Sequence, residues 1–195
     1  MELSIKQSGV LHGMLTGTAI SRGIIIFGIL LNPFNFHSNL TLLEKSSVLF
    51  KSLIILALCL TFSIGRLAKH RFFSPDELDG KGLRTDSDRA ILLQSLLQNT
   101  LEQSVLAAFV YGTWTFVMPS AWLSVVPLAA LSFALGRVLF FAGYRRGAVG
   151  RALGFTMAFY PSVLMLICTV CFFCPSLPLL VVAKVKLSLL SASVK

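Results

Sequence analysis

The sequence predicts an all-α protein, an integral membrane helix bundle of five spans. Three observations lead there. Of the 195 residues, 55% are hydrophobic and only 13% are charged, where a soluble domain carries about 25% charged residues. The mean hydropathy is +0.82, too high for a surface that faces water. The apolar residues also gather in long runs, near the roughly 20 residues a helix needs to cross a bilayer.

The first run extends from Val10 to Leu31, carries Arg22 in its middle and stops at Pro33. It lies inside the chain, contains a charge and has no small-residue cleavage site after it, so it reads as a span rather than a signal peptide. The polar segment 34–46 follows, with the sequon Asn39-Leu40-Thr41, which matters only if this loop is lumenal. The second run, Ser47 to Leu67, ends in a basic cluster of Arg66, Lys69, His70 and Arg71. The long polar stretch 68–90 holds five of the eight acids, Asp76, Glu77, Asp79, Asp86 and Asp88, among Lys81, Arg84 and Arg89. Ser74-Pro75-Asp76-Glu77 and Asp79-Gly80 read as turns, and Asp86-Ser87-Asp88 offers a cap for the next helix.

The third run starts amphipathic. Gln94, Ser95, Gln98, Asn99, Glu102 and Gln103 fall on one side at helical spacing, and the run is then apolar to Met118, where Pro119 breaks it. The fourth run covers 122–144, the basic glycine-rich segment 145–150 reads as a loop, and the fifth run covers 152–174. The tail 179–190 is apolar for about 12 residues, roughly 18 Å as a helix and too short to span. With Lys184 and Lys186 it reads as interfacial. The domain reading is therefore an extra span and lumenal loop over 1–46, a four-helix membrane domain over 47–174 and an interfacial tail over 175–195.

The net charge of +9 sits between apolar runs rather than on a soluble face, which argues for topology signals and membrane lipids as partners and against nucleic acid. The loops 68–90 and 145–151 carry most of the loop Lys and Arg. Two spans separate them, so both fall on one side, which the positive-inside rule makes cytosolic. Asn39 then faces the lumen. Cys59, Cys168, Cys171 and Cys174 all lie in or beside apolar runs. Such an environment lacks the polar second shell a metal needs, so no metal site is expected.

A charged group inside a span faces the bundle interior, a cavity or a partner. Glu102 is the last acid in the chain, Asn99 lies three residues before it, Arg137 sits inside the fourth run, Tyr144 follows two turns later, and Arg151 opens the fifth. One reading pairs Glu102 with Arg137 and lets Gln98, Asn99, Tyr144 and Arg151 line a polar pocket on the cytosolic side. The bland alternative is an ion pair that pins two helices.

These residues carry a resemblance. Asn99-Thr100-Leu101-Glu102, Arg137 with Tyr144 seven residues on, Arg151 in Gly-Arg-Ala-Leu-Gly-Phe, and the loop Leu83-Arg84-Thr85-Asp86-Ser87-Asp88-Arg89 are similar to the motifs of the membrane-associated proteins of eicosanoid and glutathione metabolism. These are the microsomal glutathione transferase superfamily, and the resemblance covers roughly 47–174. Within it, the extra N-terminal span, Met118-Pro119, Gly154-Phe155 and Phe159-Tyr160-Pro161 resemble the mattrin-like branch, which works in trafficking and epithelial barrier upkeep rather than as a transferase. The resemblance implies a transferase-like four-helix core and a homotrimer of the endoplasmic reticulum, Golgi or lysosome that binds glutathione between protomers near the cytosolic surface. Arg151 would be the catalytic residue, stabilising the glutathione thiolate. Gln98, Asn99, Glu102, Arg137 and Tyr144 would bind the tripeptide, and a lipophilic electrophile or lipid peroxide would arrive from the bilayer. One departure counts against catalysis: the transferases carry an Arg one turn before the Asn, and Ser95 stands there.

Overall fold

The computed structural model describes residues 4–74 and 88–173. Five α-helices follow one another among them: α1 (Ile5–Leu31), α2 (Leu42–Phe72), α3 (Asp88–Val117), α4 (Val125–Gly143) and α5 (Gly147–Phe173). Short 3-10 turns at Ser120–Trp122 and Tyr144–Arg146 lead into α4 and α5. Cys174, the tail 175–195 and most of the acidic loop lie outside the described residues.

Helices α1 and α2 begin about five residues before their apolar runs because each opens with a capping box. The Ser4 hydroxyl accepts from the Gln7 N–H at 3.3 Å while the Gln7 side chain accepts from the Ser4 N–H at 2.9 Å. Thr41 and Glu44 repeat the arrangement at the head of α2. Each box satisfies backbone donors that the first turn would otherwise leave open. The segment expected as a loop at 145–150 is mostly helix. Gly147 turns the chain in one residue at φ +78°, so α5 starts immediately after the 3-10 turn.

Direction follows from which residues meet. Gly9, Gly13 and Gly17 of α1 lie against Val149, Ala152 and Thr156 of α5, so these two helices run parallel. A Cβ on Gly17 would come within 1.9 Å of Thr156 Oγ1; only glycine permits this approach, the small-residue packing that membrane helices use. Lys51, Ser52 and Ile55 of α2 share a cleft with Pro127 and Leu131 of α4. Further along, Leu58 and Phe62 share a cavity with Ala134 and Phe141. Helices α2 and α4 are therefore parallel as well. The α4–α5 hairpin is antiparallel and very close, for a Cβ on Gly154 would meet the Phe140 backbone N at 2.2 Å.

Pro161 lies inside α5. It has no N–H, so the carbonyl four residues before it, that of Met157, loses its helical donor. The Ser132 hydroxyl of α4 donates to that carbonyl at 2.9 Å. At the opposite end Asn32 caps α1 in the left-handed conformation and accepts from the Ser124 hydroxyl at 2.5 Å, which ties the α1–α2 loop to the start of α4.

The interior is an apolar core around Trp114, Leu123 and Phe133 that also holds hydroxyl groups, and the outer surface is apolar as well. Ser21, Ser63, Thr100, Thr115 and Thr169 are buried and donate to carbonyls four residues earlier in their own helices. Ile26, Leu30, Phe50, Ile54, Leu58, Phe109 and Val138 are exposed. Exposed apolar surface on this scale marks a hydrocarbon solvent. Three stretches are long and apolar enough to cross a membrane: Ile5–Leu31, Leu42–Phe72, and Ser120–Phe173, which contains both α4 and α5. The chain is thus an integral membrane protein. Ser132→Ala leaves the Met157 carbonyl unpaired and should lower stability by about 1–2 kcal/mol, read from the unfolding transition of the purified protein in detergent.

Candidate functional site

The polar stripe of α3 is divided between two directions. Gln94, Gln98 and Glu102, spaced by four, point outward with Ser95 and line an open groove that Asn99 also borders. Asn99 and Gln103, one turn apart, turn toward α4, where Gln103 is buried. Helical phase separates Glu102 from its neighbour Gln103, since adjacent residues lie about 100° apart round the helix.

Arg137 is the centre of the inward half. It is 1% exposed. One Nη donates to Asn99 Oδ1 at 2.9 Å and the other donates to Gln103 Oε1. Its guanidinium carbon lies 5.3 Å from the Phe133 ring centre and 4.9 Å from that of Phe140, within cation–π range. Glu102 does not pair with it. That carboxylate is exposed and accepts from Gln98 Nε2 at 2.9 Å. The expected ion pair is therefore replaced by two neutral amide acceptors and two aromatic faces. The physical reason is the helical phase: Glu102 lies about 100° round α3 from Gln103, and only the latter faces α4.

Tyr144 and Arg151 come together at the basic end of the bundle. The Arg151 guanidinium lies 4.8 Å from the Tyr144 ring centre, and Tyr144 packs edge-on against Phe140 at 5.4 Å. Phe140 thus touches both Arg137 and Tyr144, and a continuous file runs from Asn99 through Arg137, Phe140 and Tyr144 to Arg151. Gln98, Asn99 and Glu102 border the groove, whereas Tyr144 and Arg151 are not among its lining residues. Arg66 does not replace the missing cation at Ser95. It rests over Phe62 and Phe141 and borders a separate basic recess with Lys69 and Arg89. Arg22 is exposed on α1.

Gln103 is the binding partner that sequence reasoning passed over. It belonged to the polar stripe, but only its four-residue spacing from Asn99 marks the pair as one inward face. Among the described residues no group of three or more His, Cys, Asp or Glu is placed to hold a metal.

Fold and site together define a membrane helix bundle with a buried arginine and a laterally open polar groove. The profile of the MAPEG family matches residues 48–171. That is well over half of the chain, so the protein belongs to the MAPEG family, the membrane-associated proteins in eicosanoid and glutathione metabolism. The match begins within α2 and ends within α5, leaving α1 outside it, and it distinguishes no branch within the family. No curated protein and no solved structure matches the chain.

Because Asn99 accepts from a buried cation and Glu102 does not, their substitutions should separate. Asn99→Ala should lower stability by about 1.5–3 kcal/mol, the usual range for a hydrogen bond to a charged group. Glu102→Gln, on an exposed face, should stay within about 0.5 kcal/mol. Unfolding in detergent reads both.

Proposed function

We propose that the chain crosses the bilayer five times and acts as a glutathione transferase-like protein on lipophilic electrophiles or lipid peroxides. Alternation of direction supports the five crossings. Helices with an odd number of crossings between them must be parallel, and α1 with α5, and α2 with α4, are parallel. The basic ends of α2, α3, α4 and α5, with Arg71, Arg89, Arg145, Arg146 and Arg151, then face the cytosol. Asn39 faces the lumen of an endomembrane compartment such as the endoplasmic reticulum, Golgi or lysosome.

The observation that carries the function is the groove of Gln94, Ser95, Gln98, Asn99 and Glu102. It opens sideways from a bundle that elsewhere exposes large apolar side chains such as Ile26, Phe50, Ile54 and Val138. Hydrocarbon cannot solvate an amide row and a carboxylate, so another protein surface must cover them. A second copy of the chain does so, and family members are often trimeric, which favours a homotrimer. In that assembly Glu102 takes the ammonium of glutathione, Gln98 and Asn99 hydrogen-bond its backbone, and Arg137 fixes Asn99 from behind. Tyr144 adds a hydroxyl, and Arg151 of an adjoining protomer supplies the cation at the sulfur. A cation beside a thiol raises its thiolate fraction near neutral pH, and the thiolate is the nucleophile. The electrophile enters from the bilayer.

One observation favours a second reading, a non-enzymatic mattrin-like role in trafficking and barrier upkeep. Among the described residues the only charged one lining the groove is an acid, Glu102, which repels an anionic tripeptide unless Arg151 arrives from a neighbour.

Calorimetry of glutathione with the purified protein decides between them. The transferase reading expects binding with proton release, weakened about tenfold in Arg151→Ala, equivalent to roughly 1.4 kcal/mol. Absence of binding at millimolar glutathione would leave the non-enzymatic reading.

A further inference from the structure

Arg22 takes no part in the site described above. It is exposed on α1, nine residues before that helix ends at Leu31. That is about 14 Å from the helix end, near the middle of a hydrocarbon layer roughly 30 Å thick. A long cationic side chain near a helix end extends to the polar surface, but one at the midpoint stays in hydrocarbon. Among the described residues no hydrogen bond or ion pair holds it. An arginine facing lipid at this depth is too costly to stand alone, so it marks contact with a counter-charge.

The chain itself brings no acid to that depth. Seven of its eight acids lie outside the apolar runs. The eighth, Glu102, stands fifteen residues before the end of α3 at Val117, on the same side of the membrane as Leu31. It is therefore about 9 Å further from that surface than Arg22. Glu102 also accepts from Gln98 on the groove that opens from α3, whereas α1 packs against α5 and α4. The counter-charge thus belongs to a different protein rather than to a second copy.

The surface round Arg22 suits a helix. Leu15, Ala19, Gly23 and Ile26 share its outward face, and all are exposed. Gly13, Gly17 and Gly28 let α1 press against α5 and α4, but a Cβ on Gly23 would meet nothing within 4 Å. No packing among the described residues calls for that glycine. Ala19 and Gly23, four residues apart, let another backbone come close beside the arginine.

We propose that the outward face of α1 docks a transmembrane helix of another protein, whose Asp or Glu at mid-membrane pairs with Arg22. Helix α1 lies outside the residues matched to the family, so this surface is separate from the four-helix domain. The inference rests on α1 crossing the bilayer and is independent of glutathione.

The test uses the purified full chain, donor-labelled, in phosphatidylcholine vesicles. The probes are acceptor-labelled peptides of leucine and alanine, about 24 residues long with lysine flanks. One carries glutamate at its midpoint, where direction of insertion makes no difference. A second carries alanine there, and a third carries its glutamate one turn from an end. Energy transfer should need about tenfold less of the midpoint-glutamate peptide than of either other peptide. Arg22→Leu should erase this preference at an unchanged unfolding transition, and Arg22→Lys should keep it. An Ala19→Cys reporter should add no reaction with a water-soluble maleimide beyond that of the native cysteines, because α1 lies in hydrocarbon. The proposal is overturned if the three peptides bind alike, or if Arg22→Leu captures the midpoint-glutamate peptide like wild type. It is equally overturned if wild-type chains associate in a way that both Arg22→Leu and Glu102→Gln abolish, for a second copy then fills the face. A labelled reporter overturns the five crossings along with it.

Discussion

A guanidinium enclosed in an apolar bundle must find acceptors for its N–H groups, and the arrangement of α3 against α4 is the answer this chain gives for Arg137. Its two Nη groups reach Asn99 and Gln103 on successive turns of α3, which fixes both the rotation and the height of that helix. Once Asn99 and Gln103 face inward, Gln94, Gln98 and Glu102 are forced outward by helical phase. The groove is therefore a geometric consequence of the buried cation. The same side chain packs between Phe133 and Phe140, and Phe140 passes the register on to Tyr144 and Arg151.

The remaining packing combines an apolar core around Trp114, Leu123 and Phe133 with close backbone approach. Without water to expel, helices in a bilayer associate through van der Waals contact and a few hydrogen bonds. Glycines allow α1 to lie along α5 and α5 to close on α4. Pro161 and Ser132 form a matched pair across the α4–α5 hairpin, one removing a helical donor and the other supplying its replacement. Inside, Ser21, Ser63, Thr100, Thr115 and Thr169 bond back to carbonyls of their own helices, which satisfies those hydroxyls without a partner from another helix.

Much of this was legible in the residues. Length and hydropathy located each helical run, because a bilayer-spanning helix needs a continuous apolar stretch that composition reveals directly. The ends were less legible, since the capping boxes at Ser4 and Thr41 and the single-residue turn at Gly147 are matters of backbone geometry. Arg137, Asn99, Tyr144 and Arg151 were expected to line one pocket, and contacts through Phe140 join them in one file. The partner of Arg137 was assigned on charge, to Glu102, whereas the structure assigns it on phase, to Asn99 and Gln103. A one-residue difference along α3 separates the exposed Glu102 from the buried Gln103, and hydropathy averages over that distance. Where Arg66 lies also required three dimensions: its pairing with Phe62 and Phe141 depends on how α2 sits on α4.

The account rests on the coupling between Arg137 and α3, and a double-mutant cycle measures it most directly. The cycle uses Arg137→Met and Gln103→Leu, singly and together, with unfolding followed in detergent. Each single change strands a buried polar partner, and the double change removes both. The account predicts a coupling energy of about 1.5–3 kcal/mol, with the double variant more stable than the sum of the single losses implies. Additivity within about 0.5 kcal/mol would contradict it, and would mean that the buried arginine does not set the position of α3.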